Sequence, residues 1–97
     1  MHIITQKRIW EAIELHPESA RALDGWYRVM KRNRFAKFSD LRNVFSSVDK
    51  VGDLYVFDIG GNKLRLIANI HFLCQRVYIR KIMTHQEYDA NKWRRTR

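Results

Sequence analysis

The stretch from Leu54 to Ile82 constrains this chain more than any other. Three runs rich in β-forming residues, LYVFDI, KLRLIANI and RVYIRKI, lie close together with turn-forming residues between them. GGN follows the first run, and Gly and Asn accept the positive φ that a tight hairpin needs. The second and third runs alternate apolar and polar residues, the signature of strands with one buried face. A two-residue turn at Cys74 and Gln75 makes opposed residues sum to 149, so Asn69 faces Arg80 and Ile67 faces Ile82. Opposed residues share a sheet face. Leu64, Leu66, Ala68, Ile70, Val77 and Ile79 then form an apolar face, while Arg65, Asn69, His71, Arg76, Tyr78 and Arg80 lie on the other. Tyr55 and Phe57 join the apolar side and Asp58 the basic side, whether the GGN turn centres on Gly60 and Gly61 or on Gly61 and Asn62. All of this depends on turn length, because a one-residue slip inverts a strand.

Ahead of the strands the period changes. His2 to Ile4 reads as a short strand, and Thr5 as a cap for a helix that places Ile9, Ala12 and Ile13 on one face. Pro17 closes that segment and suits the first position of the next, where no N–H is needed. Leu23, Trp26, Tyr27 and Met30 follow the i, i+3, i+4, i+7 spacing of an apolar helical stripe. Residues 33–40 read as a basic connection, with Ser39 capping a short helix that carries Leu41, Val44 and Phe45. Ser46 to Asp53 is polar and turn-like, and MTHQEYDANKW is a short helical end. The expected fold is therefore α+β. N-terminal helices cover the greasy face of a small, mainly antiparallel sheet, a short C-terminal helix follows, and the basic face stays open. The expected organisation is one domain over 1–97, with a loose basic tail at 93–97.

Charge narrows the partners. Nineteen Lys and Arg against ten Asp and Glu give a net charge of +9. A polyanion relieves the resulting self-repulsion, and nucleic acid gains further from counterion release. Cys74 is the only cysteine, so an intramolecular disulfide and a thiolate zinc site are excluded. MHIITQKRIW lacks the apolar run of a signal peptide, and no stretch nears the roughly 18 apolar residues of a membrane span. The expectation is a soluble, cytoplasmic protein with no membrane partner.

YVFDIGGNKLRLIANIHF followed by VYIRKIMTHQEYD resembles the HigB family of mRNA-interferase toxins, within the wider RelE/ParE-like group. The opening MHIITQK is similar as well, and the helical middle matches in pattern. The resemblance implies a compact RelE-like toxin of a type II toxin–antitoxin pair. Its substrate would be mRNA in the A site of the 70S ribosome. Its partner would be a HigA-like helix-turn-helix antitoxin, in a heteromeric complex that binds operator DNA.

The implied reaction requires neither metal nor cofactor. A 2′-hydroxyl attacks the neighbouring phosphorus, and the protein aligns the attack, stabilises the added negative charge and moves protons. Arg65 and Arg80 share the open face and suit the charge role, since a guanidinium pairs bidentately with phosphate oxygens. Alternatively, Arg65 is the ion-pair partner of Asp58 and Arg80 a solvated strand end. An imidazole can give or take a proton near working pH, so His85 is the candidate proton carrier. Tyr88, three residues on, shares its face if the segment is helical, and can stack on a base or bond a phosphate. Alternatively, His85 caps a turn and Tyr88 packs its ring on the core. The family varies in which residues move protons, so the general base stays open. Lys31, Arg32, Arg34, Lys37, Lys63, Arg76 and Lys81 are candidate RNA contacts, with Lys81 placed by parity at the edge of the apolar face. Lys92, Arg94, Arg95 and Arg97 would form a phosphate-seeking tail. Two other readings compete with the nuclease: a non-catalytic RNA-binding module and a ParE-like gyrase inhibitor.

Overall fold

The glycines after LYVFDI do what their backbone freedom allows. Gly60 and Gly61 adopt φ of +64° and +57°, and Ile59 then pairs with Leu64 in an antiparallel hairpin. The computed structural model describes residues 1–61 and 63–90. The expected turn role of Asn62 and the basic tail at 93–97 lie outside the described residues.

Among the described residues, five strands form one sheet in the order β1-β5-β4-β3-β2: β1 (His2–Ile3), β2 (Asp49–Val51), β3 (Leu54–Ile59), β4 (Leu64–His71) and β5 (Arg76–Thr84). Only β1 runs parallel to its neighbour; the other pairings are antiparallel. The helices are α1 (Lys7–Leu15), α2 (Ala20–Arg32), α3 (Phe38–Val44) and α4 (His85–Asp89), and a single 3-10 turn at Pro17–Ser19 leads into α2. The α+β architecture is the expected one. Among the described residues, no helix is long and apolar enough to cross a membrane.

The main core lies between the helices and one sheet face. Ile9 and Ala12 from α1 join Leu23, Trp26 and Met30 from α2 and Leu41 from α3. They meet Tyr55, Phe57, Leu64, Leu66, Ala68, Ile70, Val77 and Ile79, the apolar face expected from alternation. Phe57 sits at the centre, with the rings of Trp26 and Phe45 edge-on to it at 5.4 and 5.2 Å.

Several local expectations need correction. Thr5 does not cap α1, because its hydroxyl is committed to β5. It accepts from the Ile79 N–H at 2.6 Å and donates to the Ile79 carbonyl at 3.4 Å. It thereby serves as a strand partner where β1 has ended. Ser39 lies inside α3, whose first turn is instead held by the Asp40 carboxylate accepting from the Ala36 N–H at 2.9 Å. The segment read as a turn before Asp53 contains β2, which pairs Lys50 with Tyr55 at the sheet edge. Its polarity is that of an edge strand with little to bury.

The β4–β5 connection is four residues long, Phe72 to Gln75, rather than two. Gln75 takes φ of +55° there. Its side chain bonds Phe35 through both N–H and carbonyl and donates to the Phe72 carbonyl. Asn69 consequently faces Tyr78, not Arg80. A bulge then intervenes, since Ala68 pairs with Ile79 but Ile67 pairs with Lys81. Arg80 is the additional residue, and the bulge reverses parity beyond it. Ile82 therefore belongs to the core side, and Lys81 and Met83 move to the open face, correcting the placements from simple alternation.

Thr5→Val keeps the shape of the side chain and removes both hydroxyl bonds. Stranding the Ile79 N–H and carbonyl should cost about 2 kcal/mol, while Thr5→Ser should cost less. Urea denaturation of the two variants reads the difference.

Candidate active site

The open face is not uniformly basic. Leu54, Val56, Ile67 and Met83 form a second apolar cluster on it, with Val51 and Tyr88 packed alongside. Side chains opposite the helices thus have a small core of their own. Arg65 lies at the end of this cluster and is only 8% exposed.

A buried guanidinium needs partners, since desolvating an unpaired charge is costly. Nε of Arg65 donates to Oδ1 of Asp58 at 3.1 Å, across the β3–β4 pairing where Asp58 and Arg65 are directly opposed. Nη1 donates to the Leu64 carbonyl at 3.3 Å, and Nη2 donates to Nδ1 of His85 at 2.9 Å. The Tyr88 ring centre stands 5.6 Å from the guanidinium carbon. The ion-pair and catalytic readings of Arg65 are therefore compatible: it pairs with Asp58 and also touches His85.

Local sequence places His85. Thr84 ends β5 and caps α4, accepting from the Glu87 N–H at 3.2 Å. The Glu87 carboxylate accepts from the Thr84 N–H at 2.9 Å, completing a capping box. The His85 N–H donates to the Lys63 carbonyl, tying the start of α4 back to β4. His85 and Tyr88 share a helical face as expected, and Tyr88 packs on the second apolar cluster rather than on the main core.

The contact with Arg65 fixes the histidine tautomer. Arginine has no acceptor, so Nδ1 of His85 must accept, and the ring proton resides on Nε2. Nε2 stands 3.2 Å from Oδ2 of Asp89, one turn along α4. Asp58, Arg65, His85 and Asp89 thus form a chain of polar contacts from the sheet to solvent. Asp58 and Asp89 were not among the sequence-derived candidates for proton or phosphate chemistry. Cross-strand pairing with Arg65 and the four-residue spacing from His85 are the signals that point to them.

Arg80 lies on the same face but does not join this chain. Its Nε donates to Oδ1 of Asn69 at 2.5 Å, four residues along β4 from Arg65. That is a separation of ~13 Å at the usual strand rise. Arg76 pairs opposite His71, farther still from His85. Lys81 pairs opposite Ile67, between the two arginines. Lys63 is exposed beside the first turn of α4. Lys31 and Arg32 are in the last turn of α2, where Lys31 stands over the Tyr27 ring at 5.6 Å. Arg34 and Lys37 flank Phe35, which is tied to Gln75 at the far end of the β4–β5 hairpin. These four are exposed and are not brought to His85. Trp26 is core, while Trp10 is 45% exposed and pairs with the Tyr27 ring.

Comparison with known proteins adds to this geometry. Residues 19–91 match the HigB_toxin family, described as the RelE-like toxic component of a toxin–antitoxin system. The chain is 41% identical over 92 residues to "mRNA interferase toxin HigB" of Escherichia coli K12, covering 92% of this chain and 88% of that protein. The "mRNA interferase HigB" of Shigella flexneri matches with the same identity and coverage. The protein of that name from Escherichia coli O6:H1 strain CFT073 is 38% identical, over 92% of this chain and 89% of its own length.

The capping box makes the site sensitive to acid. Hydrogen bonds from the Thr84 N–H, and then from its hydroxyl, hold the Glu87 carboxyl below its ordinary value of 4.5. A carboxyl depressed in the folded state stabilises the fold above its unfolded value, and that contribution is lost as pH falls through the folded value. The start of α4 should therefore loosen below about pH 4.5, seen as faster exchange of the Glu87 amide. In Glu87→Gln this pH step should disappear.

Proposed function

Because the chain belongs to the HigB toxin family, the RelE-like toxic component of toxin–antitoxin systems, we propose that it is an endoribonuclease that cleaves mRNA during translation. The observation that carries this reading is the 2.9 Å contact between Arg65 and His85 on the sheet face opposite α1, α2 and α3. A cationic group and an imidazole stand together there, in a chain with an excess of nine positive charges.

RNA carries its own nucleophile. The 2′-oxygen attacks the adjacent phosphorus, its proton leaves, and the bond to the 5′-oxygen breaks as that oxygen gains a proton. Arg65 supplies positive charge where negative charge develops on the phosphoryl oxygens. Its planar fork suits two oxygens at once. In the free protein its Nη2 occupies Nδ1 of His85, so the lone pair needed for proton abstraction is engaged. A phosphate competes for that same guanidinium edge. Drawing Nη2 toward substrate frees Nδ1, and His85 then exchanges protons with the reacting oxygens. Binding and activation are in this way one event. Asp89 orients the ring through Nε2, and the Tyr88 ring stands against the guanidinium.

Arg80 takes a flanking phosphate. It is exposed on the same face, and Arg76, Lys63 and Lys81 extend the basic track. Lys31, Arg32, Arg34 and Lys37 would touch RNA of the ribosome from the other side of the molecule. The A site of the 70S ribosome supplies the aligned mRNA, so the protein works in the cytoplasm as one domain over 1–97. Its neutralising partner is a HigA-like helix-turn-helix antitoxin, whose complex with the toxin binds operator DNA.

His85→Ala should reduce cleavage of translated mRNA by about a hundredfold or more. Arg65→Lys should also fail, because a point charge does not replace the planar fork. Arg80→Ala should lose at least about tenfold, the scale of one charge-assisted phosphate contact. Each variant is checked for fold by circular dichroism and assayed in a translation extract. Intact transcripts with the unaltered protein, or unchanged cleavage in His85→Ala, would sink the assignment.

A further inference from the structure

A second cluster on the open face lies away from His85 and includes the track residues Arg76 and Arg80. The His71 and Tyr78 rings meet edge-on at 5.3 Å. Tyr78 is directly opposite Asn69, and His71 is directly opposite Arg76. Asn69 is itself held at both ends: its amide donates to the Asp53 carbonyl at 3.1 Å, and its oxygen accepts from Arg80. His71, Arg76 and Arg80 are exposed, and Tyr78 is half-buried.

We propose that His71, Tyr78, Arg76 and Arg80 form a stacking subsite for an unpaired RNA base, several nucleotides away from the bond that is cut. The inference rests on the reading of the open face as RNA-directed and adds where the strand is gripped. The half-buried Tyr78 ring is held near-perpendicular to that of His71, so little conformational freedom is lost on stacking. Two arginines flank the ring and answer the phosphates on either side. Arg80 lies at the bulge, on the same face as Tyr78, where its side chain is held on Asn69. An aromatic platform between cations is the recurring solution for single-stranded nucleic acid, and it is tolerant of base identity.

Position supports the assignment. His71 is six residues along β4 from Arg65, ~20 Å at the usual rise per residue. The basic side chains of Lys81 and Arg80 fall between. A strand lying along β4 therefore meets the base platform at one end of the hairpin and the His85 site at the other.

The test uses a seven-nucleotide 2′-O-methyl RNA, which cannot be cleaved, with the full chain and fluorescence anisotropy. Tyr78→Leu keeps the bulk and loses the π face, and should weaken binding about tenfold, the scale of one stacked base. Tyr78→Phe should bind like the unaltered protein. Cross-linking with 5-bromouridine in the oligomer should attach Tyr78 or His71. Unchanged affinity in Tyr78→Leu, or cross-links confined to the helix layer, overturns the proposal. Loss of affinity in Tyr78→Phe equal to that in Tyr78→Leu also overturns it, because the phenol rather than the ring would be the contact. His85→Ala should keep this affinity while abolishing cleavage. A protein that binds through Tyr78 yet cuts nothing separates failure of the nuclease reading from failure of the subsite.

Discussion

The structure depends on giving a nearly buried guanidinium enough partners. Arg65 is on the sheet face away from the helices, among Ile67, Met83 and the ring of Tyr88. Such a charge is tolerated only with its donors satisfied. Asp58 reaches it from β3, the Leu64 carbonyl from its own strand, and His85 from α4. These bonds require the Asp58–Arg65 register and a helix that starts at the end of β5. A slip of β3 by one residue would turn Asp58 into the main core and leave Arg65 without its counterion. The ion pair therefore specifies the register as firmly as the apolar alternation does. It also makes the link from core to site direct, because the group that holds the sheet in register is the group that holds the imidazole.

The β5 bulge has a comparable reach. Without it, alternation would aim Lys81 at the helices and Met83 with it. With it, Lys81 and Met83 reach the open face and Ile82 turns to the core. One additional residue thus lets a nine-residue strand bury apolar groups on opposite sides at its two ends. The second apolar cluster follows from this and gives Tyr88 a place to pack. Tyr88 in turn covers Arg65, so an irregularity in the ladder near Arg80 is felt at the far end of the hairpin.

Much of this was legible in the sequence. The apolar set from Leu64 to Ile79 has period two, and the stripe from Leu23 to Met30 has the helical spacing, so the main core follows from alternation alone. Arg65 and Arg80 share a face by parity, and His85 with Tyr88 by helical spacing. The register failed where geometry is not local. Gln75 in a left-handed conformation is stabilised by Phe35, forty residues away in sequence, and no short-range pattern signals a four-residue turn there. The bulge has no glycine to mark it. Thr5 illustrates competition between two uses of one hydroxyl. A cap and a strand contact both suit it, and the Ile79 N–H and carbonyl decide the outcome. The strand β2 was missed because an edge strand with one partner carries no apolar alternation to read.

The arrangement also says why the free protein has a quiet site. His85 is exposed, but its Nδ1 accepts from Arg65 and its Nε2 proton faces Asp89, so both ring nitrogens are occupied in the resting state. An imidazole held this way neither takes a proton nor presents a lone pair to a passing hydroxyl. In the proposed mechanism, a phosphate diester that competes for the guanidinium would release it. Charge alone would bring many polyanions to this surface. Release of the histidine requires one that also places phosphoryl oxygens at Arg65, against the combined hold of Asp58, Leu64 and Tyr88. On the proposed path, a strand aligned along β4 by its bases and flanking phosphates would meet that demand far better than an unaligned one. Selectivity for a positioned RNA strand would then arise at the step that frees His85, before any bond is broken.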